Sequence, residues 1–198
     1  MSRIPLVLRE NFTEDQQKLF ESITRGKRGE GRAPETFLTP EGGMKGPFNA
    51  LLFSPVFGEV VQRLGEVVRF ESSMPPLLRE MAILMVSAKW QAHYEWWAHE
   101  KIATQEGLDR SIIASIAEGL IPDFKHPAEA VVYHFAQELL ETQQVSDERY
   151  EAAVELLGEA GVVELVILLG FYTLISMSLN VFKVSLPAGE KTPFGSGH

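Results

Sequence analysis

The sequence contains no cysteine among its 198 residues, which excludes several kinds of chemistry. A chain without thiols forms no disulfide, offers no thiolate to a metal ion and has no cysteine nucleophile or redox pair. Any reaction must therefore use carboxylates, imidazoles and hydroxyls. Positive charge is also scarce, with 18 Lys and Arg against 27 Asp and Glu and a formal net charge of -9. We therefore expect no nucleic acid or anionic membrane partner, because phosphate binding needs clustered Lys and Arg.

The N-terminus, MSRIPLVLREN, lacks an apolar run long enough for the core of a signal peptide, which predicts a cytoplasmic protein. One longer apolar run, LVILLGFYTLISMSLNVF from Leu165 to Phe182, approaches the length of a membrane span. Polar residues interrupt this run, and no positively charged cluster flanks it. We interpret it as a helix buried in protein or at a subunit interface, and we expect no membrane span.

Length and composition predict a single globular domain, since 45% of the 198 residues are hydrophobic and 23% are charged. No segment alternates apolar and polar residues with a period of two, so the predicted fold is all-α without a sheet. We expect residues 1–45 to form an N-terminal helix and an irregular loop, and residues 46–184 to form the helical core. Residues 185–198 are expected to be a mobile tail.

Three segments show helical spacing and helix signals clearly. Thr13 and Gln16 form a capping-box pattern at the start of a helix from about Glu14 to Arg25. A later helix runs to Phe70, and its apolar positions follow helical spacing at Val56, Val60, Leu64 and Val67. The run LLREMAILMVSAKW is apolar on nearly every side, so its helix should lie at the centre of the fold.

Glu80 stands inside that apolar helix, where its carboxylate is expected in the core or in the wall of a pocket. Burial raises the pKa of an unpaired carboxyl group, which suits a proton donor or shuttle near neutral pH. An equally acceptable interpretation is a structural glutamate that accepts a hydrogen bond from a histidine, arginine or tryptophan nitrogen. The sequence leaves both interpretations open.

Glu95 and His99 are four residues apart in the next segment, QAHYEWWAHEKIATQEGL, and are therefore adjacent on one helical face. Ala92 and Ala103 lie about one turn before and after them and leave room around the two polar groups. The pair could act as acid and base, with the carboxylate fixing the imidazole tautomer. The alternative is an ordinary surface pair that stabilises the helix by a few tenths of a kcal/mol. A metal site that adds His93 is weaker still, because His93 lies about 160° from Glu95 around the helix.

An aromatic stripe with spacings of four, three and four begins one residue before that segment and runs through Trp90, Tyr94 and Trp97 to Lys101. Such a stripe more often packs against another helix or subunit than it binds a ligand. The candidate substrate-binding residues are Trp96, Tyr94 and, from an earlier segment, Asn49. No phosphate loop, nucleophile elbow or metal-ligand cluster occurs in the sequence, so no metal or other cofactor is expected. Two further histidines, His126 and His134, lack polar partners at useful spacing and are interpreted as structural.

The spacing of these residues resembles a family signature. Eleven residues separate Glu80 from Ala92, two separate Ala92 from Glu95, three separate Glu95 from His99, and Gly107 follows. This pattern resembles the carboxymuconolactone decarboxylase and alkylhydroperoxidase D-like family, whose peroxidase branch carries its redox cysteines at positions 92 and 95. The segments GPFNALLFSP and GVVELVILLGFYTLISMSLNVF extend the resemblance over roughly residues 40 to 185. Because both cysteines are absent, the chain resembles the cysteine-free branch, and thiol peroxidase activity is excluded.

The resemblance implies an all-helical alkylhydroperoxidase D-like fold and a homo-oligomer, either a dimer, a trimer or a hexamer, with pockets near the subunit interfaces. It also implies a cofactor-free decarboxylase that acts on a small carboxylated lactone or a related intermediate of aromatic degradation. In such a lyase His99, poised by Glu95, would protonate carbon, and Glu80 would resupply the proton. The alternatives are a non-catalytic small-molecule-binding or assembly protein, and an isomerase or hydrolase that uses the same pair.

Overall fold

The computed structural model describes residues 2–194, which form eight α-helices and no β-strand. The prediction of an all-α fold is confirmed. In the described residues the only β-type pairings are two isolated bridges, Leu8 with Gly43 and Leu38 with Met44. The eight helices are, in chain order, α1 Glu14–Arg25, α2 Pro47–Leu51, α3 Pro55–Phe70, α4 Pro76–Trp90, α5 His93–Gln105, α6 Arg110–Glu118, α7 Pro127–Thr142 and α8 Asp147–Val181.

The chain divides into two compact units, and the first comprises residues 2–72 and 178–185. Its α1 begins with the predicted capping box, in which the Thr13 hydroxyl accepts from the Gln16 backbone and the Gln16 side chain accepts from the Thr13 N–H. The core of this unit contains six buried apolar side chains, Leu19, Phe20, Ile23, Phe37, Met44 and Leu52. The prediction that the whole chain is one domain stays a prediction.

In the first unit, α3 packs on α1 through small and polar residues. A Cβ at Gly58 would lie 2.7 Å from the Leu19 side chain, so glycine permits the close approach of the two helices. Gln62 donates to the Ser22 hydroxyl at 2.5 Å, and buried Glu66 accepts from the backbone N–H of Lys27. Three of the four apolar positions that the sequence analysis named in α3 are exposed: Val56 at 74%, Val60 at 68% and Leu64 at 39%.

The second unit comprises residues 73–177 and 186–194, and α4 lies at its centre as predicted. Nearly every residue of α4 from Leu78 to Ser87 is buried, and the helix contacts α5, α6 and α7. α4 ends at Trp90 because Gln91 adopts the left-handed conformation, with φ of 47°, and Ala92 precedes α5. The predicted stripe of Trp90, Tyr94 and Trp97 on one helix is therefore wrong, since Trp90 belongs to α4.

α8 is a long apolar helix with a break at Gly158, where φ of 71° and ψ of 168° require glycine. By length and composition it could cross a membrane, and 44% of its most apolar stretch is buried within the protein. The core helix of a soluble protein passes the same test, so this observation is weak evidence for a membrane span. The part of α8 after the break also has a row of exposed apolar residues, Val163, Val166, Ile167, Leu174 and Met177.

The chain after α8 returns to contact α5 within the second unit. Glu190 accepts from Lys101 at 3.1 Å, Thr192 is 2.5 Å from a ring nitrogen of His93, and Phe194 packs edge-on against Trp96. Of the predicted mobile tail, residues 195–198 lie outside the described residues.

Candidate functional site

Glu80, Glu95 and His99 come together in the second unit and form one hydrogen-bonded group, which we name the carboxylate–imidazole relay. Nδ1 of His99 lies 2.6 Å from Oε2 of Glu80, which comes from α4. Nε2 of the same ring lies 3.2 Å from Oε1 of Glu95, one turn earlier on α5. All three residues are buried. The i, i+4 spacing thus positions one carboxylate, and the packing of α4 against α5 positions the other.

Charge balance in the relay favours a protonated imidazole. Both ring nitrogens face carboxylates, and only the imidazolium form can donate from both. Burial alone would lower the pKa of His99, but the hydrogen bonds with Glu80 and Glu95 outweigh it and raise that pKa above its ordinary value. Nε of Arg79 lies 3.9 Å from Oε1 of Glu80. With His99 protonated, the four side chains carry two charges of each sign.

Solvent reaches the relay at one end more than at the other. The side chain of Glu80 is 1% exposed, whereas those of His99 and Glu95 are 6% and 7% exposed. The ring of Tyr172, from α8, packs edge-on against His99 with the ring centres 5.1 Å apart. Ala92 and Ala103 are fully buried beside the pair. Glu95 is therefore the carboxylate nearer to solvent, and Glu80 is the inner one.

The other predicted site residues lie in different surroundings. Trp96 is fully buried, and its indole N–H has no hydrogen-bond acceptor within residues 2–194. Tyr94 packs against Trp97. Burial, together with the nearby charge of Glu95, raises the pKa of the Tyr94 hydroxyl to about 12. Asn49 lies in the first unit, where its side chain accepts from the N–H of Val7 and donates to the carbonyl of Pro5.

The three remaining histidines of the described chain do not join the relay. The His93 ring contacts Thr192, so a metal site built from His93, Glu95 and His99 gains no support. His126 is the N-cap of α7, where its backbone N–H donates to Glu129. The His134 ring packs against Phe124.

Two residues that contact the relay, Arg79 and Tyr172, were not identified from the sequence. Arg79 adjoins Glu80 in the chain, and a charged residue next to a buried carboxylate was a signal that could have identified it. Tyr172 lies in the apolar run of α8, where nothing in the spacing of residues connects it with His99. Its contact depends on how α8 packs in the second unit.

Two cavities of the second unit are lined by residues outside the relay. The larger has a volume of about 710 Å³ and is bordered mainly by α5 and α6, with Trp96 and Pro193 among its lining residues. The smaller has a volume of about 290 Å³ and is lined by residues of α4, α6 and α7 with their connecting segments. Neither cavity is lined by Glu80, Glu95 or His99.

Comparison with solved structures identifies the fold. The alkylhydroperoxidase core of a peroxidase-related protein from Ralstonia eutropha matches with a TM-score of 0.71 and 17% identity, over 94% of this chain and 93% of that chain. The fold is alkylhydroperoxidase D-like. A peroxidase-related protein from Silicibacter sp. matches with a TM-score of 0.70 and 13% identity, over 94% of this chain and 92% of that one.

A third protein with a similar structure is a debrominase. The debrominase Bmp8, in its apo form, matches with a TM-score of 0.68 and 14% identity, over 92% of this chain and 91% of that chain. The sequence itself matches no family model and no curated protein. At these identities the likeness establishes the alkylhydroperoxidase D-like fold alone. Any function must therefore be argued from the residues of this chain.

Within this fold, the relay is suited to moving a proton. The imidazolium can give the proton on Nε2 to Glu95 and recover one through the same carboxylate, without any side chain leaving hydrogen-bond distance. Glu95 is the more exposed of the two carboxylates.

Proposed function

We propose that the protein is a cofactor-free carbon–carbon lyase that decarboxylates a small carboxylated lactone or a related molecule. The observation that carries this proposal is the placement of one imidazole between two carboxylates, at 2.6 and 3.2 Å from its two ring nitrogens. This arrangement supports proton delivery to carbon, which is the step a decarboxylase must catalyse after carbon dioxide leaves.

The proposed reaction has three parts. The bond between the carboxylate carbon and its neighbour breaks, carbon dioxide leaves, and the electron pair stays on the neighbouring carbon as an enolate conjugated with a carbonyl. The imidazolium of His99 passes the proton on Nε2 to Glu95, and Glu95 donates it to that carbon. Solvent then returns a proton to His99 by way of Glu95, while Glu80 holds the imidazole by Nδ1.

Charge and burial support this division of roles. A substrate carboxylate loses its hydration more readily in a site with little solvent, and Glu95 and His99 are both buried. The positive charges of Arg79 and protonated His99 offset those of the two glutamates, so the relay does not repel an anion as two bare carboxylates would.

A non-catalytic binding protein on the same scaffold is the second candidate. The specific observation in its favour is that neither described cavity is lined by a relay residue, whereas Trp96 lines the larger one. In that case the relay serves to join α4 to α5, and the ligand binds elsewhere.

The two candidates differ in one experiment, the release of carbon dioxide from carboxymuconolactone by the purified protein. For a lyase, Glu95→Gln and His99→Gln each lower the rate about a hundredfold or more, while Glu106→Gln, on an exposed residue just after α5, leaves it unchanged. Equal rates in all four proteins would overturn the proposed roles. A folded wild-type protein without turnover would support the binding candidate.

We also propose a cytoplasmic homo-oligomer that binds small molecules and neither nucleic acid nor membranes. The exposed apolar residues of α8 after Gly158 support self-association, because a surface of this kind is normally covered by protein. The net charge of -9 supports the exclusion of nucleic acid.

A further inference from the structure

The larger cavity of the second unit has the properties of a ligand site. Its volume of about 710 Å³ lies within the range of about 300–1,000 Å³ that small-molecule sites occupy. Because the relay does not line it, an occupant of this cavity would be recognised by other groups. Those groups fall into three kinds: an apolar floor, an aromatic wall and charged residues of both signs.

The apolar floor comes from one face of α6. Ile113, Ala114 and Ala117 line the cavity, and the two alanines leave space for a bound molecule above the helix. Trp96 of α5 lines it as well and supplies the aromatic wall. A flat aromatic group fits such surfaces, since aromatic rings pair in offset-stacked or edge-to-face arrangements.

Trp96 also offers an unused donor. It is fully buried, and its indole N–H finds no acceptor among the side chains and backbone of residues 2–194. A buried donor without an acceptor is unfavourable, and an indole N–H can only donate. An oxygen of a bound molecule would satisfy it.

The charges are separated along α6. Arg110 is its first residue and Glu118 its last, and both line the cavity on the same face as the apolar floor. Eight residues of helical rise place their backbones about 12 Å apart. Neither side chain has an ion-pair partner within 4.0 Å in the described part of the chain. One end of the cavity is thus cationic and the other anionic.

The residues of α5 add one further charge of each sign. Glu100 and Lys101 both line the cavity. Lys101 also donates a hydrogen bond to the carboxylate of Glu190 at 3.1 Å. Counting Glu190, three acidic and two basic groups surround the space, so a simple anion gains little from it. A molecule that carries both charges matches the lining better than either a pure anion or a pure cation.

We propose that this cavity binds a small ω-amino carboxylic acid, with a carboxylate towards Arg110, an amine towards Glu118 and a flat apolar middle between Trp96 and α6. The proposal does not depend on the lyase reaction, because it involves no relay residue. It assigns the charged ends of α6 a role in recognition.

The test compares three probes of one shape: 4-(aminomethyl)benzoate carries both charges, 4-methylbenzoate carries only the anion and 4-methylbenzylamine only the cation. Titration calorimetry on the full-length protein should show the first probe binding at least about threefold more tightly than either of the others. The same probe should shift the Trp96 indole N–H signal in NMR spectra. That signal is identified by elimination, using Trp90→Phe and Trp97→Phe.

The variants distinguish the two ends. Arg110→Gln should reduce the affinity for 4-(aminomethyl)benzoate to that for 4-methylbenzylamine, and Glu118→Gln should reduce it to that for 4-methylbenzoate. Both residues are exposed, so neither change should unfold the protein, and Arg25→Gln in the first unit is the matched control. Three probes of equal affinity, an unshifted Trp96 signal, or the same result for Arg110→Gln and Arg25→Gln would overturn the proposal. No relay residue lines this cavity, so failure of the lyase reaction does not decide this test.

Discussion

Oε1 of Glu95 lies 3.2 Å from Nε2 of His99, while the opposite nitrogen of the same ring lies 2.6 Å from Glu80. The imidazole therefore has no nitrogen free to meet a reactant directly. A proton that passes through His99 must enter or leave by way of a glutamate, and Glu95 is the more exposed of the two. This relationship assigns the outer position to Glu95 and gives His99 the part of an intermediary.

Removal of the imidazole should destabilise the fold. In His99→Gln the carboxylates of Glu80 and Glu95 remain buried without the cation between them, and breaking such a buried pair costs about 3–5 kcal/mol. Urea denaturation should show a loss of about 3 kcal/mol. The control His126→Gln, at an exposed position, should lose less than about 1 kcal/mol. Similar losses in both variants would contradict a charged relay.

The stability that His99 contributes should depend on pH. Its pKa in the folded protein is raised above the ordinary 6.5, so the contribution is fully present below pH 6.5 and is lost as the pH rises through the raised value. The difference in unfolding free energy between wild type and His99→Gln should therefore be largest in mild acid and shrink on the alkaline side. NMR titration of the His99 ring gives the same pKa directly. A midpoint below 6.5 would show that burial outweighs the two carboxylates.

Asn49 should prove structural, although the sequence made it a candidate for substrate binding. Its side chain bonds with the backbone at Val7 and at Pro5, so Asn49→Ala removes the partners of a partly buried N–H and of a carbonyl. We expect a loss of about 1–3 kcal/mol in unfolding free energy, with ligand affinity unchanged. Asn11→Ala, at an exposed residue, is the control. A change in affinity without a change in stability would restore the original assignment.

Self-association should depend on α8. Ile167→Lys places a charge within the exposed apolar row of α8, and a charge buried without a partner at an interface is strongly unfavourable. Light scattering should show a smaller assembly for this variant than for wild type. Val60→Lys makes the same change on the exposed face of α3 and should leave the mass unchanged. The reverse result would move the interface to α3.

The parts of the fold that follow from local rules could be predicted from the sequence. The capping box at Thr13 and the central position of α4 are both local, since one depends on residues three apart and the other on a run without a polar face. The convergence of Glu95 and His99 follows from helix periodicity in the same way.

What could not be predicted depends on how the helices pack. The apolar residues of α3 have good helical spacing, yet three of the four are exposed, and α3 packs on α1 through glycine and polar contacts. Gln91, between Trp90 and Tyr94, has a left-handed backbone that ends α4. Glutamine has no preference for this conformation, so the sequence did not predict the break. Tyr172 of α8 meets His99 of α5 through a ring contact between distant parts of the chain, which no spacing in the sequence encodes.

The pairing of Arg79, Glu80, Glu95 and His99 limits how this protein can change over time. Replacing any one of the four with a neutral residue leaves one uncompensated charge in the buried group. Replacing two of opposite sign with neutral residues keeps the group neutral. Substitutions in this group should therefore occur in pairs during evolution, such as neutral residues at both 80 and 99. Homologous chains that lack the histidine are expected to lack the inner acid as well.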